Sequence, residues 1–225
     1  MPWRLKPRGI TLVTLHIVDV HRARVWVPPE YPILQFWPGK TIGGLWVAEY
    51  GPGSDLQYNE LIAVCATVWY RGRPAPWATH LYVDNPLSVR GGRELIGAPK
   101  ELALFTREAG TRTHITVGDL ERPICRISYG RQLWLWRMRT RLPALHRDVR
   151  LPRQISVHGN EMRGRMGLAR AQVEVPESSP LRALGFGPPL LGIVGRDVEA
   201  LFGGAPFLPQ HTLTVCAGPA KLRAS

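Results

Sequence analysis

The chain has 225 residues, enough for one domain with a proper core or for two small ones. Its 44% hydrophobic content is that of a globular protein, and its 23 glycines and 21 prolines favour short strands and turns over long helices. A net charge of +12 admits nucleic acid, an acidic surface or an anionic small molecule as partner, while no apolar run approaches the roughly 18 residues of a membrane helix.

The opening MPWRLKPRG has no apolar signal core, so a cytoplasmic protein without membrane contact is expected. Segment 10–20, apolar and β-branched, reads as a strand. Four prolines between 27 and 40 exclude a regular helix there. A strand over 41–50 and a turn over 51–55 follow. The apolar segment 59–70 precedes an expected loop at 71–76 and a strand over 78–85. Residues 91–97 fit one or two helical turns, ended by Gly97 and Pro99. Residues 113–117 and 124–129 read as a strand pair. In 132–142, Trp134, Trp136, Met138 and Thr140 alternate with Leu133, Leu135, Arg137, Arg139 and Arg141. The first set is expected to face the core and the arginines to be solvated or at a subunit contact. A further strand is expected at 169–175, a short helix at 194–204 and a late strand at 213–218. The sum is one domain over residues 1–225, mainly antiparallel β with small helices (α+β), a barrel or a sandwich.

Cys65, Cys125 and Cys216 are scattered and odd in number, with neither metal-site nor disulfide spacing. They read as small buried hydrophobes. His16, His80 and His114 show no ligand spacing, so no metal is expected. His80 could face a pocket from its strand, but a core or surface histidine is the simpler assignment. No glycine-rich phosphate loop is present, and no organic cofactor is expected. Residues 126–170 hold 11 arginines against Asp148 and Glu161. Binding of single-stranded nucleic acid wants aromatic and basic residues on one face, and here alternation separates them.

Lysine is rare: Lys6, Lys40, Lys100 and Lys221 account for four of 29 basic residues. Lys100 stands in ELIGAPKELALF (94–105), amid apolar residues. A free lysine amine, with a pKa of about 10.4, is a poor nucleophile at neutral pH. Burial disfavours the ammonium and frees the amine to attack a ketone. The protonated imine then accepts the electron pair of a breaking neighbouring bond. Pro99 restricts the backbone on both sides of itself, which suits rigid presentation of the amine. The competing assignment is an edge lysine with its stem on apolar surface and its head in water.

GRELIGAPKELA, preceded by LYVDNP (81–86), resembles the active-site segment of the acetoacetate decarboxylase family, whose Pro-Lys pair carries the Schiff-base lysine. YNE (58–60) is similar to that family's Tyr-x-Glu segment, and PWRLKPRG with VPPEYP to its N-terminal portion. The resemblance implies a cone-like β-barrel, a homo-oligomer and a small oxo-acid substrate. It implies Lys100 as nucleophile, Glu60 as a pocket carboxylate that tunes or relays protons, and Arg8 as partner of a substrate carboxylate. Arg93, beside Glu94, is expected to be structural, with the substrate anion as its lesser role. Two positions depart from the family. Glu101 stands where acetoacetate decarboxylase itself has a second lysine, and Leu45 where a second pocket carboxylate would fall, with Glu49 as a candidate substitute. The expected function is a Schiff-base lyase of decarboxylase type. The alternatives are aldol or dehydration chemistry on the same lysine without decarboxylation, or a non-enzymatic basic β-barrel for an anionic ligand or nucleic acid.

Overall fold

The computed structural model describes residues 3–5, 7–119 and 121–202, with side chains from residue 11 onward except those of 134 and 135. In chain order the elements are β1 (Trp3–Leu5), β2 (Pro7–Asp19), α1 (Val20–Arg24), β3 (Lys40–Tyr50), β4 (Tyr58–Tyr70), β5 (Arg73–Val83) and α2 (Pro86–Ile96). Then follow β6 (Lys100–Leu102), β7 (Phe105–Glu108), β8 (Thr113–Gly118), β9 (Pro123–Arg147), β10 (Ile155–Glu174), a 3-10 turn (Pro180–Leu184) and β11 (Leu191–Phe202).

All strands join one sheet in the order β6-β5-β4-β3-β2-β11-β10-β9-β8-β7, with β1 added on β11. Neighbours are antiparallel except β5 with β6. One further bridge, Trp77 to Leu145, brings β5 back to β9 and closes the sheet into a cone-like barrel. Alternation along the strands fills its inside. Leu12, Leu45, Leu61, Trp77, Ile127 and Leu145 are buried in the main core. A satellite cluster of Ala48, Tyr50, Tyr58 and Val83 lies where β3, β4 and β5 meet.

Several elements differ from expectation: β9 runs unbroken through the expected 124–129 and 132–142, and β10 starts at Ile155 rather than at 169. The loop at 71–76 shrinks to Arg71 and Gly72, with φ of 48° and 80°, the pair of left-handed conformations that a two-residue hairpin favours. Pro74 and Pro76 lie within β5, opposite Trp69 and Thr67. The helix expected at 91–97 begins earlier, at Pro86, because Asn85 caps it by accepting from the Leu87 N–H at 2.9 Å.

The helix expected at 194–204 is instead strand β11, paired with β2 and β10. Its helix-like spacing has a local cause. The register on β10 slips between Arg163 opposite Glu199 and Arg165 opposite Arg196, and Asp197 takes φ 51°. The bulge puts buried Val194, Gly195, Val198 and Ala200 at intervals that imitate a helix.

Arg137, Arg139 and Arg141 are exposed as expected, and the last two hold Glu161 on β10 at 2.7 and 3.0 Å. Trp136 is not a core residue: it is 39% exposed on β9. Trp134 and the expected strand at 213–218 lie outside the described residues. Cys65 and Cys125 are buried thiols, and Cys216 also lies outside the described residues. No helix among the described residues is long and apolar enough to cross a membrane.

Candidate active site

Lys100 is delivered by a strand–helix–strand crossover, the one place among the described residues where neighbouring strands run parallel along their length. β5 ends at Val83, Asn85 starts α2, and Gly97 ends it in the left-handed region at φ 64°. Gly97 donates its N–H to the Arg93 carbonyl. Pro99 then leads into β6, whose first residue, Lys100, stands beside Leu81. Arg93 Nε donates to the Lys100 carbonyl at 2.8 Å, which ties the strand back to the helix.

The lysine stem runs across α2 at Gly92. A Cβ at that position would lie 2.6 Å from Lys100 Cδ and 3.1 Å from Cγ and Cε, so only glycine leaves the stem its path. The amine ends among buried polar groups. Nζ lies 2.8 Å from Glu60 Oε1 and 3.0 Å from Ser88 Oγ. It is 3.4 Å from Tyr58 OH and 4.9 Å from the centre of that ring. The other Glu60 oxygen accepts from Tyr50 OH at 2.8 Å. Lys100 is 6% and Glu60 3% exposed. Burial, then the nearby Glu60 charge, pushes Tyr50 and Tyr58 well above the usual phenol range, so both are neutral hydroxyls.

These groups open on a cavity of about 420 Å³. Ile62, Leu81, Ile96 and Phe202 supply apolar wall, and His146, His158 and Asn160 add polar groups from the β9–β10 hairpin. Within this volume a small polar ligand meets one amine and one carboxylate among the described lining residues.

Of the residues singled out in the sequence, Lys100 and Glu60 come together here. Arg93 is exposed, does not line the cavity, and acts on the lysine backbone. Arg8 lies in β2, but its side chain is outside the described residues. Glu101 pairs with Tyr82 in the strand register and is exposed, on the face away from the amine. Leu45 belongs to the main core. Glu49, the candidate substitute, lies on the opposite face of β3 from Tyr50 and sits 3.6 Å from Arg107, outside this cavity. His80 bonds Thr79 Oγ1 at 3.0 Å and packs on Trp26 and Tyr82 rather than lining the cavity. Among the described residues, no group of three or more His, Cys, Asp or Glu side chains could hold a metal ion.

Ser88, Tyr50, His146 and His158 were not foreseen. Ser88 had a signal in the Asn-Pro pair that starts α2. The histidines had none, because only the β9–β10 register brings them together.

The family model "Acetoacetate decarboxylase (ADC)" matches residues 1–161. The protein NEOXANTHIN-DEFICIENT 1 of Oryza sativa subsp. japonica is 31% identical over 106 residues, which are 47% of this chain and 34% of that protein. The chain thus spans about a third of the length of the curated relatives it matches. Acetoacetate decarboxylase from Legionella pneumophila shares the fold at a TM-score of 0.66 and 14% identity, over 94% of this chain and 86% of that one. The enduracididine biosynthesis enzyme MppR, complexed with the condensation product of pyruvate and imidazole 4-carboxaldehyde, shares it at a TM-score of 0.62 and 16% identity, over 90% and 86%.

Proposed function

Because the chain belongs to the acetoacetate decarboxylase family, we propose that it is a Schiff-base-forming enzyme of small oxo acids with Lys100 as its nucleophile. The observation that carries this is a buried lysine amine 2.8 Å from a buried carboxylate, at a cavity of about 420 Å³. An ammonium must lose a proton before it attacks, and Glu60 is in place to accept it. The free amine adds to the ketone carbon, water leaves, and a protonated imine forms on Nζ. That cation draws electrons from an adjacent carbon–carboxylate or carbon–hydrogen bond. Tyr58 and Ser88 steady the nitrogen, and Tyr50 holds Glu60 in line. Arg8 is the candidate partner for the substrate carboxylate.

Two reactions share this intermediate. Loss of carbon dioxide would make the enzyme a decarboxylase. Condensation or dehydration through an enamine is the second possibility. It is favoured by the lone carboxylate among the described lining residues and by the likeness to MppR, which holds a condensation product of pyruvate. Incubation with acetoacetate or pyruvate, borohydride reduction and peptide mass spectrometry tests the common step. The expected result is a reduced adduct on Lys100. No adduct with either acid overturns the proposal, and salt-dependent retention on DNA would then favour a basic binding module. Carbon dioxide release from acetoacetate separates the decarboxylase from the condensing enzyme.

A further inference from the structure

The scheme above leaves His146 and His158 without a task, although both line the same cavity as Lys100. They lie diagonally in the β9–β10 hairpin, where Ser156 stands opposite His146 and His158 opposite Ala144. Their Nε2 atoms are 2.9 Å apart and their rings stack at 4.9 Å.

The contacts fix where the protons are. A carbonyl only accepts, so His146 Nδ1, 2.9 Å from the Arg147 carbonyl, carries a hydrogen. A hydrogen bond to the Ile96 backbone favours the protonated form of His158, so this ring too donates to a backbone acceptor, from the nitrogen that does not face His146. In the neutral pair the two Nε2 atoms are then both bare and face each other. The pair thus holds two protons at rest and has room for a third.

Its electrical surroundings are mixed. Burial is the largest influence and keeps both rings neutral, with His158 lowered to about 3. Asp148 favours protonation of both, and Arg150 opposes it. Asp148 itself is held by Arg150 Nε at 3.0 Å and by Ser156 Oγ at 2.9 Å. The charge on Lys100 also opposes protonation of His146. Glu60 is poorly placed for a second duty, since one oxygen is bound by the amine and the other by Tyr50.

We propose that the His146–His158 pair takes the proton from the substrate carbon next to the imine and returns it to that carbon. This rests on Lys100 forming the imine. In the forward step the C–H bond breaks and its electron pair becomes the C=C bond of an enamine. The C=N pair moves onto Nζ, which loses its charge, and the proton joins an imidazole nitrogen of the pair. One positive charge moves from the lysine nitrogen to the histidines, so the Lys100 repulsion, a smaller influence than burial, disappears in the same step.

The test uses pyruvate in heavy water with the full chain. Methyl deuteration is followed by NMR, and the borohydride adduct is measured in parallel. His158→Gln and His146→Gln should keep the adduct and lose exchange by about 10²-fold or more. An adduct at wild-type yield with exchange undiminished in both variants overturns the inference and leaves the imine standing. If a variant folds too poorly to form the adduct, His158→Asn and His146→Asn take its place. The wild type is a test in itself, since an adduct without methyl exchange also overturns the inference. If only acetoacetate traps, exchange is read on its methyl group instead; no wild-type adduct with either acid overturns the imine, and the inference with it.

Discussion

Replacing Gly92 by alanine separates the position of the amine from the stability of the fold. Alanine suits a helix better than glycine by about 1 kcal/mol, so α2 should be no less stable. The added methyl would meet Lys100 Cδ at 2.6 Å and push the amine off Glu60. Gly92→Ala should therefore keep or raise the melting temperature while lowering the rate of borohydride trapping at least tenfold. Tyr50→Phe acts on the other side of the pair. It strips the buried Glu60 Oε2 of its one hydroxyl donor at 2.8 Å, which should cost about 1–3 kcal/mol in urea denaturation. Lys100 was legible in the sequence because arginine cannot form an imine, and this chain spends arginine nearly everywhere else. Glu60 was legible through its Tyr-x-Glu context. The roles of Gly92 and Ser88 were not, because both depend on where α2 starts, and that is set by the Asn85 cap rather than by the glycines further on.

At the scale of elements, α2 and its two ends decide where the lysine goes. Gly97 is left-handed, and a side chain there would run into the Asp148 carboxyl. Val149 N–H also donates to the Gly97 carbonyl at 2.9 Å, which fastens the helix end to the 148–150 turn. Gly97→Ala should destabilise by about 2 kcal/mol or more, read as a lower urea midpoint with unchanged slope. It should also weaken trapping, since Lys100 is three residues on. Alternation finds the middle of most strands, whereas β11 escapes it because one bulge at Asp197 rephases the buried positions. Trp136 escapes it for a different reason. Period-2 patterning says which residues share a face, but not whether that part of the sheet has anything packed on it. The register partner of Trp136, Met166, is buried with Met162 and Val198, whereas Trp136 itself stays 39% exposed.

Over the whole molecule, neutral histidines, His16 and His146 buried and His80 and His158 half-buried, set the response to acid. His16, His80, His146 and His158 are all lowered, each chiefly by burial. Unfolded histidines protonate near pH 6.5, while these stay neutral in the fold, His158 down to about pH 3. Below about pH 6.5 the unfolded chain binds more protons, so stability falls as pH falls. The slope contributed by His158 should reach about 1.4 kcal/mol per pH unit. Urea midpoints at pH 7.5, 6 and 5 should fall in that order for the wild type and fall less steeply for His158→Gln. Equal midpoints would contradict this. The family match ends at residue 161, within β10, yet the ring needs β11 to join β10 to β2. A chain cut after residue 161 would leave two long edges bare, and it should be insoluble or unfolded by circular dichroism. The overall class was legible because many short apolar segments with glycine and proline between them admit little else. The closure was legible only through the family resemblance, since Trp77 and Leu145 are far apart in sequence and each looks like any other core residue.

That closure has a kinetic consequence. Every other seam of the ring is stitched by several paired residues, whereas β5 and β9 share the single bridge Trp77–Leu145. The residues next to it, Ala78 and His146, line the cavity. Local opening concentrates where few backbone bonds must break, so the barrel should breathe at this seam first. Native-state hydrogen exchange should find the amides flanking Trp77 and Leu145 opening well below the global unfolding free energy, and those of the β3–β4 pair only near it. The lysine would then sit beside the one joint through which the barrel admits solvent.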